Sequence, residues 1–340
     1  NGGNIIGQVN LLTGNNVVTL ESGSTGTDFT TGSGSDLFLL KDVQESETNL
    51  FTSLNGGQGE DVLKLDNSSY VLNRADAITG MEHIDLTNGS TFTLDNVLLA
   101  LGDSRDDSVS TGYSIDSTST LAVKNSASVA FNSHLSGNGW MTVDTTGNSF
   151  EFTSNNAADG FAGTVAMGNT RFELDGLNTQ ALTNATLRAD NGSITHVGAG
   201  QQTIGGLAFN GGTVKFDGVT PGVTEAAGTI HTTDNMDLLG KGVVQVDAGS
   251  VSNDRPLPNT HVSLLEQDDT GSLIKLADSD AAVQGSGGNL ELHDASGNVI
   301  SDGVTLDIVQ DGTTVAKGTY DYRLTSGENN DGLYVNYGLT

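Results

Sequence analysis

The sequence predicts an all-β chain wound as a right-handed parallel β-helix, a β-solenoid closed toward its carboxyl end by a β-hairpin cap. Three observations predict it. Strand-like pairs return at a fixed interval: Val129/Phe131, Phe150/Phe152, Phe172/Leu174, Ile194/His196 and Val214/Phe216, whose second members step by 21, 22, 22 and 20 residues. Inside each segment apolar and polar residues alternate, which turns one face inward and the other to water. Residues that tolerate positive φ divide the segments, as at Asn55-Gly56, Asn88-Gly89, Asp175-Gly176 and Asn191-Gly192. Units of this length cannot bury an apolar face alone and must stack on their neighbours.

Along the chain, Leu20, Leu40, Leu65 and Leu86 open the register with steps of 20, 25 and 21. Thr91-Phe92-Thr93-Leu94 alternates clearly, and between Leu94 and Leu121 the cadence lapses for about one coil, so 95–120 reads as an insertion. A second series, Val123, Val143, Val165, Leu187 and Leu207, steps by 20, 22, 22 and 20, so each period holds at least two strands. Spacing is traceable to Val246. Arg255-Pro256-Leu257-Pro258 then interrupts strand formation, because proline donates no ladder hydrogen bond. Val304–Val309 and Thr319–Tyr322 read as hairpins that cover the open end of the coil. The expected organisation is regular coils over 1–220, a rod on the order of 50 Å long at ~4.8 Å per coil, and C-terminal coils with a cap over 221–340. Leucine-rich repeats are excluded by the missing L-x-x-L-x-L signature, and a left-handed hexapeptide helix by the missing six-residue cadence.

Composition narrows the class. With 46 Gly against 3 Pro and 35% apolar residues, the chain is too structured for disorder yet poor in core-forming side chains, which suits a thin coil with much surface per residue. Thirteen Lys and Arg against 42 Asp and Glu leave a net charge of −29, which repels phosphate backbones and anionic lipid and argues against nucleic-acid binding. That charge keeps an edge-rich β structure soluble, or it supplies carboxylates for sugar hydroxyls or calcium. Cysteine is absent, which removes disulfides and thiolate metal sites and leaves stability to stacking. No apolar run reaches the ~18 residues of a membrane helix. No signal peptide is visible, so the chain is expected to be cytosolic or a processed fragment.

Gly137-Asn138-Gly139-Trp140, Asn148-Ser149-Phe150 and Phe161-Ala162-Gly163-Thr164-Val165 resemble the passenger of a bacterial autotransporter adhesin of the AIDA type. Gln180–Leu187, Gly205-Gly206-Leu207 and Phe209–Val214 are similar to that family's late rungs, and Tyr320–Leu324 with Leu333–Thr340 resemble the end of its autochaperone segment. The likeness is good from Asn138 onward and looser before it. It implies a secreted β-helix that folds from its carboxyl end and is displayed at the bacterial surface. Anchoring would come from an outer-membrane barrel outside this chain, with the passenger itself not membrane-inserted and a monomer in solution. The implied partners are a host glycan or extracellular-matrix protein, or another copy on a neighbouring cell.

Candidate chemistry is sparse. Gly56-Gly57-Gln58-Gly59-Glu60-Asp61-Val62-Leu63-Lys64 fits the calcium nonapeptide G-G-x-G-x-D-x-U-x, with a partial echo at Gly32–Phe38. Calcium needs several oxygens at once, and Asp36 and Asp61 stand 25 residues, one coil, apart. A glycine turn recurring on stacked coils explains the motif, with calcium at Asp36 and Asp61 as the alternative. Gly102-Asp103-Ser104 is similar to serine-hydrolase motifs, but Arg105 follows where the protease form has glycine. None of the six histidines has an Asp three positions before it, as the esterase form requires. Asp106-Asp107 and Asp268-Asp269 lack the G-H-G and R-I-K companions of β-helix pectinases. No catalytic residue and no cofactor is assigned. His196 is expected at an inward strand position, and Trp140 at a coil end, open to packing or to sugar stacking.

The binding residues expected are Asp103, Arg105, Asp106, Asp107 and Tyr113 in the stretched interval, since irregular insertions on solenoids often carry recognition. Lys64, Asp85 and Glu151 are expected at outward positions in a ladder of exposed Asn, Asp and Thr. Weak contacts along such a face suffice when a cell displays many copies. The function expected is attachment to host glycans or matrix proteins, with colonisation and biofilm formation. Self-association that aggregates bacteria is one alternative, and a polysaccharide-processing β-helix enzyme is the alternative of another class.

Overall fold

Nearly every ordered element is a strand in the computed structural model, which describes residues 4–23, 26–44, 50–99, 101, 111–153, 160–247, 251–252 and 272–339. The chain divides into two units, 1–166 and 167–340. Unit 1 opens with β1 (Val9–Leu11), β2 (Val17–Glu21), β3 (Asp28–Thr31), β4 (Leu37–Lys41), β5 (Ser53–Asn55) and β6 (Val62–Asp66). It continues through β7 (Ser69–Leu72), β8 (Ile78–Thr79), β9 (His83–Thr87), β10 (Thr91–Asp95), β11 (Gly112–Ile115) and β12 (Thr120–Lys124). Then come β13 (Val129–Phe131), β14 (His134–Gly137), β15 (Trp140–Asp144), β16 (Phe150–Phe152) and β17 (Thr164–Met167), in which the division falls.

Within unit 1 the strands stack as β1-β3-β5-β8, as β2-β4-β6-β9-β11-β14, as β7-β10-β12-β15 and as β13-β16, and they pair in parallel. This is a parallel β-helix. The leucine series is its register: Leu20 pairs with Leu40, Leu40 with Leu65 and Leu65 with Leu86. Coils visit three faces in turn, consistent with a period of at least two strands. Leu94 pairs directly with Val123, 29 residues on, so the lapse in cadence is one lengthened coil.

Inward positions carry the core of unit 1. Phe51, Tyr70, Phe92, Tyr113, Phe131 and Phe150 follow one another with ring centroids 4.9, 6.0, 6.3, 6.1 and 6.1 Å apart. Such pairs contribute about 0.5–1.5 kcal/mol each beyond their burial. At a neighbouring corner a serine ladder closes the backbone: Val43 N–H donates to Ser68 Oγ at 2.9 Å, Ser68 N–H to Ser90 Oγ at 3.0 Å and Ser90 N–H to Ser119 Oγ at 3.1 Å. All three serines are buried, so each hydroxyl satisfies a donor that water cannot reach. The calcium-like glycines serve stacking. Gly57 has φ +71°, and a Cβ there would lie 2.5 Å from Thr31 O and 2.6 Å from Gly32 O, so only glycine lets the two turns touch.

Unit 2 contains β18 (Arg171–Leu174), α1 (Gly176–Ala181), β19 (Thr186–Asp190), β20 (Ile194–Val197), β21 (Gly200–Asn210) and β22 (Thr213–Phe216). It continues with β23 (Glu225–Asp237), β24 (Gly242–Val246), β25 (Val251–Ser252), β26 (Ser272–Ser279), β27 (Val283–Gln284) and β28 (Leu290–His293). β29 (Val304–Gln310), β30 (Thr313–Thr325) and β31 (Gly332–Leu339) complete it. Parallel coils run through β18-β20-β22-β24-β28 and β19-β21-β23-β26. Antiparallel pairing begins where β26 meets β31, and β29-β30-β31 form the hairpin cap. The two-residue turn Asp311-Gly312, with φ 48° and 73°, joins β29 to β30. One helical turn, α1, interrupts a chain in which no helical segment was expected.

His196 corrects its expected inward place. Phe172 pairs with Thr195 and Leu174 with Val197, so Thr195 and Val197 face inward while Ile194 and His196 face out. A one-residue slip in phase moves every side chain of a strand to the other face. Ile194, an apolar residue 42% exposed, had suggested the wrong phase. The Arg255–Pro258 break lies outside the described residues.

Candidate functional site

Immediately before the first residue of β2, β4, β6 and β9 stand Asn16, Asp36, Asp61 and Glu82, one per coil, each on the turn that starts the strand. Asn16 N–H and Nδ2 donate to Asp36 Oδ1 at 2.8 and 3.0 Å, Asp36 N–H donates to Asp61 Oδ1 at 2.9 Å, and Asp61 N–H to Glu82 Oε1 at 2.6 Å. The three acids are 2%, 0% and 3% exposed. Asp36 Oδ2 and Asp61 Oδ2 are buried without a hydrogen-bond partner among the described residues. Burial, the Asp36 side chain and the Glu82 charge push Asp61 up to about 8, against the pull of the Asp36 N–H. Among the described residues no group of three His, Cys, Asp or Glu is placed to hold a metal ion. Asp36 and Asp61 meet from coil to coil through the Asp36 N–H. Glu82 was missed, although it follows Asp61 by 21 residues, the period itself.

The outward face of the six-stranded sheet brings two expected binding residues together. Lys64 and Asp85 are register partners on β6 and β9, and His83 lies beside them opposite Val62. Partial burial raises Asp85 above the ordinary carboxylate range, while the His83 and Lys64 charges pull it down. Glu151 projects from β16, opposite Ala130 on another sheet. Tyr113 is 2% exposed within the ring stack, so its side chain is a core group with no face for a ligand. Asp103, Arg105, Asp106 and Asp107, with Ser104, lie outside the described residues.

A second outward face, on β7-β10-β12-β15, is richer in hydroxyls. Ser69, Thr91, Thr120 and Trp140 form one row, and Val71, Thr93, Ala122 and Thr142 the next. Asp95, Lys124 and Asp144 extend the face along the strands. Trp140 is half-buried at an outward strand position, which leaves part of its ring to solvent. Neighbours within a row lie ~4.8 Å apart from strand to strand, and the two rows, two residues apart along each strand, lie about 6.6 Å apart, so the hydroxyls stand at roughly sugar-ring spacing.

In unit 2 two histidines each meet two acids, His196 on the coils before and after it and His231 on a single following coil. His196 Nδ1 lies 2.7 Å from Glu173 Oε2 and its Nε2 2.7 Å from Asp217 Oδ2. His231 Nδ1 lies 2.6 Å from Asp278 Oδ1 and its Nε2 3.1 Å from Asp280 Oδ1. An ionised carboxylate only accepts, so a ring bonded to two of them carries both protons. Burial pulls His196 down, but the bonds to Asp217 and Glu173 outweigh it; His231 is raised chiefly by Asp278. Burial pushes Asp278 up, and bonds from His231 and Lys275 bring it below its ordinary range. A groove of about 390 Å³ lies beside the cap, lined among others by Leu290, Val299, Ile300 and Tyr322, with Arg323 and Asp302 paired at 2.5 Å on its wall. Among the described residues no helix is long and apolar enough to cross a membrane.

No family model matches the chain, and no solved structure matches it. Two curated proteins of Escherichia coli (strain K12) do. Over 212 residues, 62% of its length, the chain is 48% identical to the uncharacterized protein YuaQ, and over 317 residues, 88% of its length, 34% identical to the uncharacterized lipoprotein YdeK. It spans 16% of the first and 22% of the second, so what it is similar to is a segment of two much longer chains.

Proposed function

We propose that this chain is a binding segment of a cell-surface autotransporter adhesin, attaching bacteria to host glycans or extracellular-matrix proteins and promoting colonisation and biofilm formation. The observation that carries the reading is the hydroxyl-lined face of β7-β10-β12-β15 with Trp140 at its end. Threonine and serine hydroxyls bond sugar hydroxyls in either direction, and an indole face stacks on a sugar ring. The AIDA-type resemblance supports the same reading, and the lipoprotein name of YdeK supports a cell-envelope location. Anchoring through an outer-membrane barrel and a monomeric state in solution belong to the proposal. Binding proceeds without catalysis.

Self-association is the second reading. Weak contacts along the same polar faces would suffice for it when a cell displays many copies. Bacteria displaying the chain distinguish the two. Retention on glycan or fibronectin arrays, lowered by Trp140→Ala and Thr93→Ala, is expected for host attachment; settling of a static culture without retention supports self-association. Degradation of an arrayed polysaccharide, or neither retention nor settling, rejects the adhesin reading.

A further inference from the structure

On adjoining turns of unit 1, Asp36 Oδ2 and Asp61 Oδ2 are both buried without a hydrogen-bond partner among the described residues. Their sister oxygens already accept backbone N–H groups from the coil before. The Asp36 N–H donates to Asp61 Oδ1 at 2.9 Å, which brings the two acids onto facing turns, but two ionised carboxylates have nothing to donate to one another. We propose that Asp61 is kept as a neutral acid whose proton is donated to Asp36, making this pair a proton-operated latch on the coils between Asn16 and Glu82. While the proton is held, both orphan oxygens are satisfied. Once it leaves, like charges face one another in a dry turn and the coils part.

The surroundings favour the neutral form. The charged groups acting on Asp61 are Asp36 from the coil before and Glu82 from the coil after, and both are acidic. Lys64 and His83, on the strands that follow Asp61 and Glu82, occupy outward positions. Gly56, in the same turn, packs against Asp61, where an added Cβ would lie 2.7 Å from Asp61 Cβ. The proton of Asp61 is held up to about 8, close to neutral pH.

Amide hydrogen exchange across pH 5 to 10 tests the latch on the whole chain. After correction for intrinsic exchange, protection at the Asn16, Asp36 and Asp61 N–H groups should fall about tenfold per pH unit up to about 8 and then level off, since one proton is linked to opening. Asp61→Asn supplies a permanent donor and should abolish that slope. Gly218 and Val219, whose N–H groups bond Asp247 in unit 2, should be unchanged by it. Asp36→Asn, which offers an amide donor to Asp61 from the other side, should flatten the slope too and serves if Asp61→Asn fails to fold. A pH-independent wild type, or a slope surviving in both variants, overturns the proposal. So does protection that rises with calcium chloride and falls with EDTA at pH 9, which would place an ion between the carboxylates.

Discussion

Unit 1 hides its acids between coils and unit 2 sets them beside histidines at the surface. In unit 1 the same residue type recurs from coil to coil: the Asp36 N–H donates to the Asp61 carboxyl, the Ser68 N–H to the Ser90 hydroxyl, and ring follows ring. In unit 2 the conspicuous side-chain contacts join opposites, His196 between Glu173 and Asp217 and His231 between Asp278 and Asp280. Like groups stack in a dry turn only when one is neutral, whereas opposites can stay charged in water. The two solutions nevertheless respond to acid with one sign. Asp61 binds its proton in the folded state from its ordinary 3.8 up to about 8, so folding is favoured at low pH and weakens across that interval. A histidine raised above 6.5 stabilises fully below 6.5 and loses that contribution as pH climbs through its folded value. A chain of net charge −29 also repels itself less as its acids are neutralised.

The largest effect expected is from the ring stack that unit 1 relies on. Phe92 is 0% exposed between Tyr70 and Tyr113, and Phe92→Ala should cost about 3–5 kcal/mol in denaturant unfolding of unit 1. A loss below ~1 kcal/mol would mean that each coil buries its apolar face independently of the next, which breaks the picture of unit 1 as a stack of like groups. Next comes Ser90→Ala. It removes the oxygen that accepts Ser68 N–H at 3.0 Å, leaving a buried donor unpaired, and should cost about 1–3 kcal/mol with no dependence on salt. Salt dependence there would erase the contrast with unit 2.

How much of this was legible follows from the length and phase of each segment. The leucine steps of 20, 25 and 21 are register pairs, because five-residue strands such as β4, β6 and β9 show two full alternations. The face of β5 and β8 offers no period to read, since these short strands lack the paired apolar ends that mark the equally short β13 and β16. Asp36 and Asp61 could be matched because both follow glycine-rich turns. Glu82 could not, since its turn, Gly80-Met81, shares neither the motif nor the residue type. His196 was misplaced because Ile194 is an outward apolar residue and Thr195 an inward polar one, which inverts the usual phase signal. Trp140 was singled out, but the hydroxyl rows it joins depend on cross-strand register, which no single segment carries. Asp311-Gly312 is a plain hairpin signal between two strand-like runs and was available to the sequence reading.

The smallest effect sharpens the comparison most, because it separates the two units by pH alone. His231 is 20% exposed and bonded to Asp278 and Asp280, where the parallel strand β23 meets β26 and the antiparallel cap begins. Two partly exposed ion pairs of this kind are worth roughly 0.5–1 kcal/mol after solvent screening. His231→Gln keeps donor and acceptor atoms but no titratable charge. Its loss should be seen at pH 6, shrink in high salt, and fade as pH climbs through the raised value of the wild-type imidazole. Exchange at the Asp36 and Asp61 amides of unit 1 should keep its wild-type pH slope in this variant, while Asp61→Asn should leave the pH response around His231 intact. If either substitution flattened both responses, the acid preference would belong to one shared transition, and buried like pairs and exposed opposite pairs could no longer be treated as separate devices.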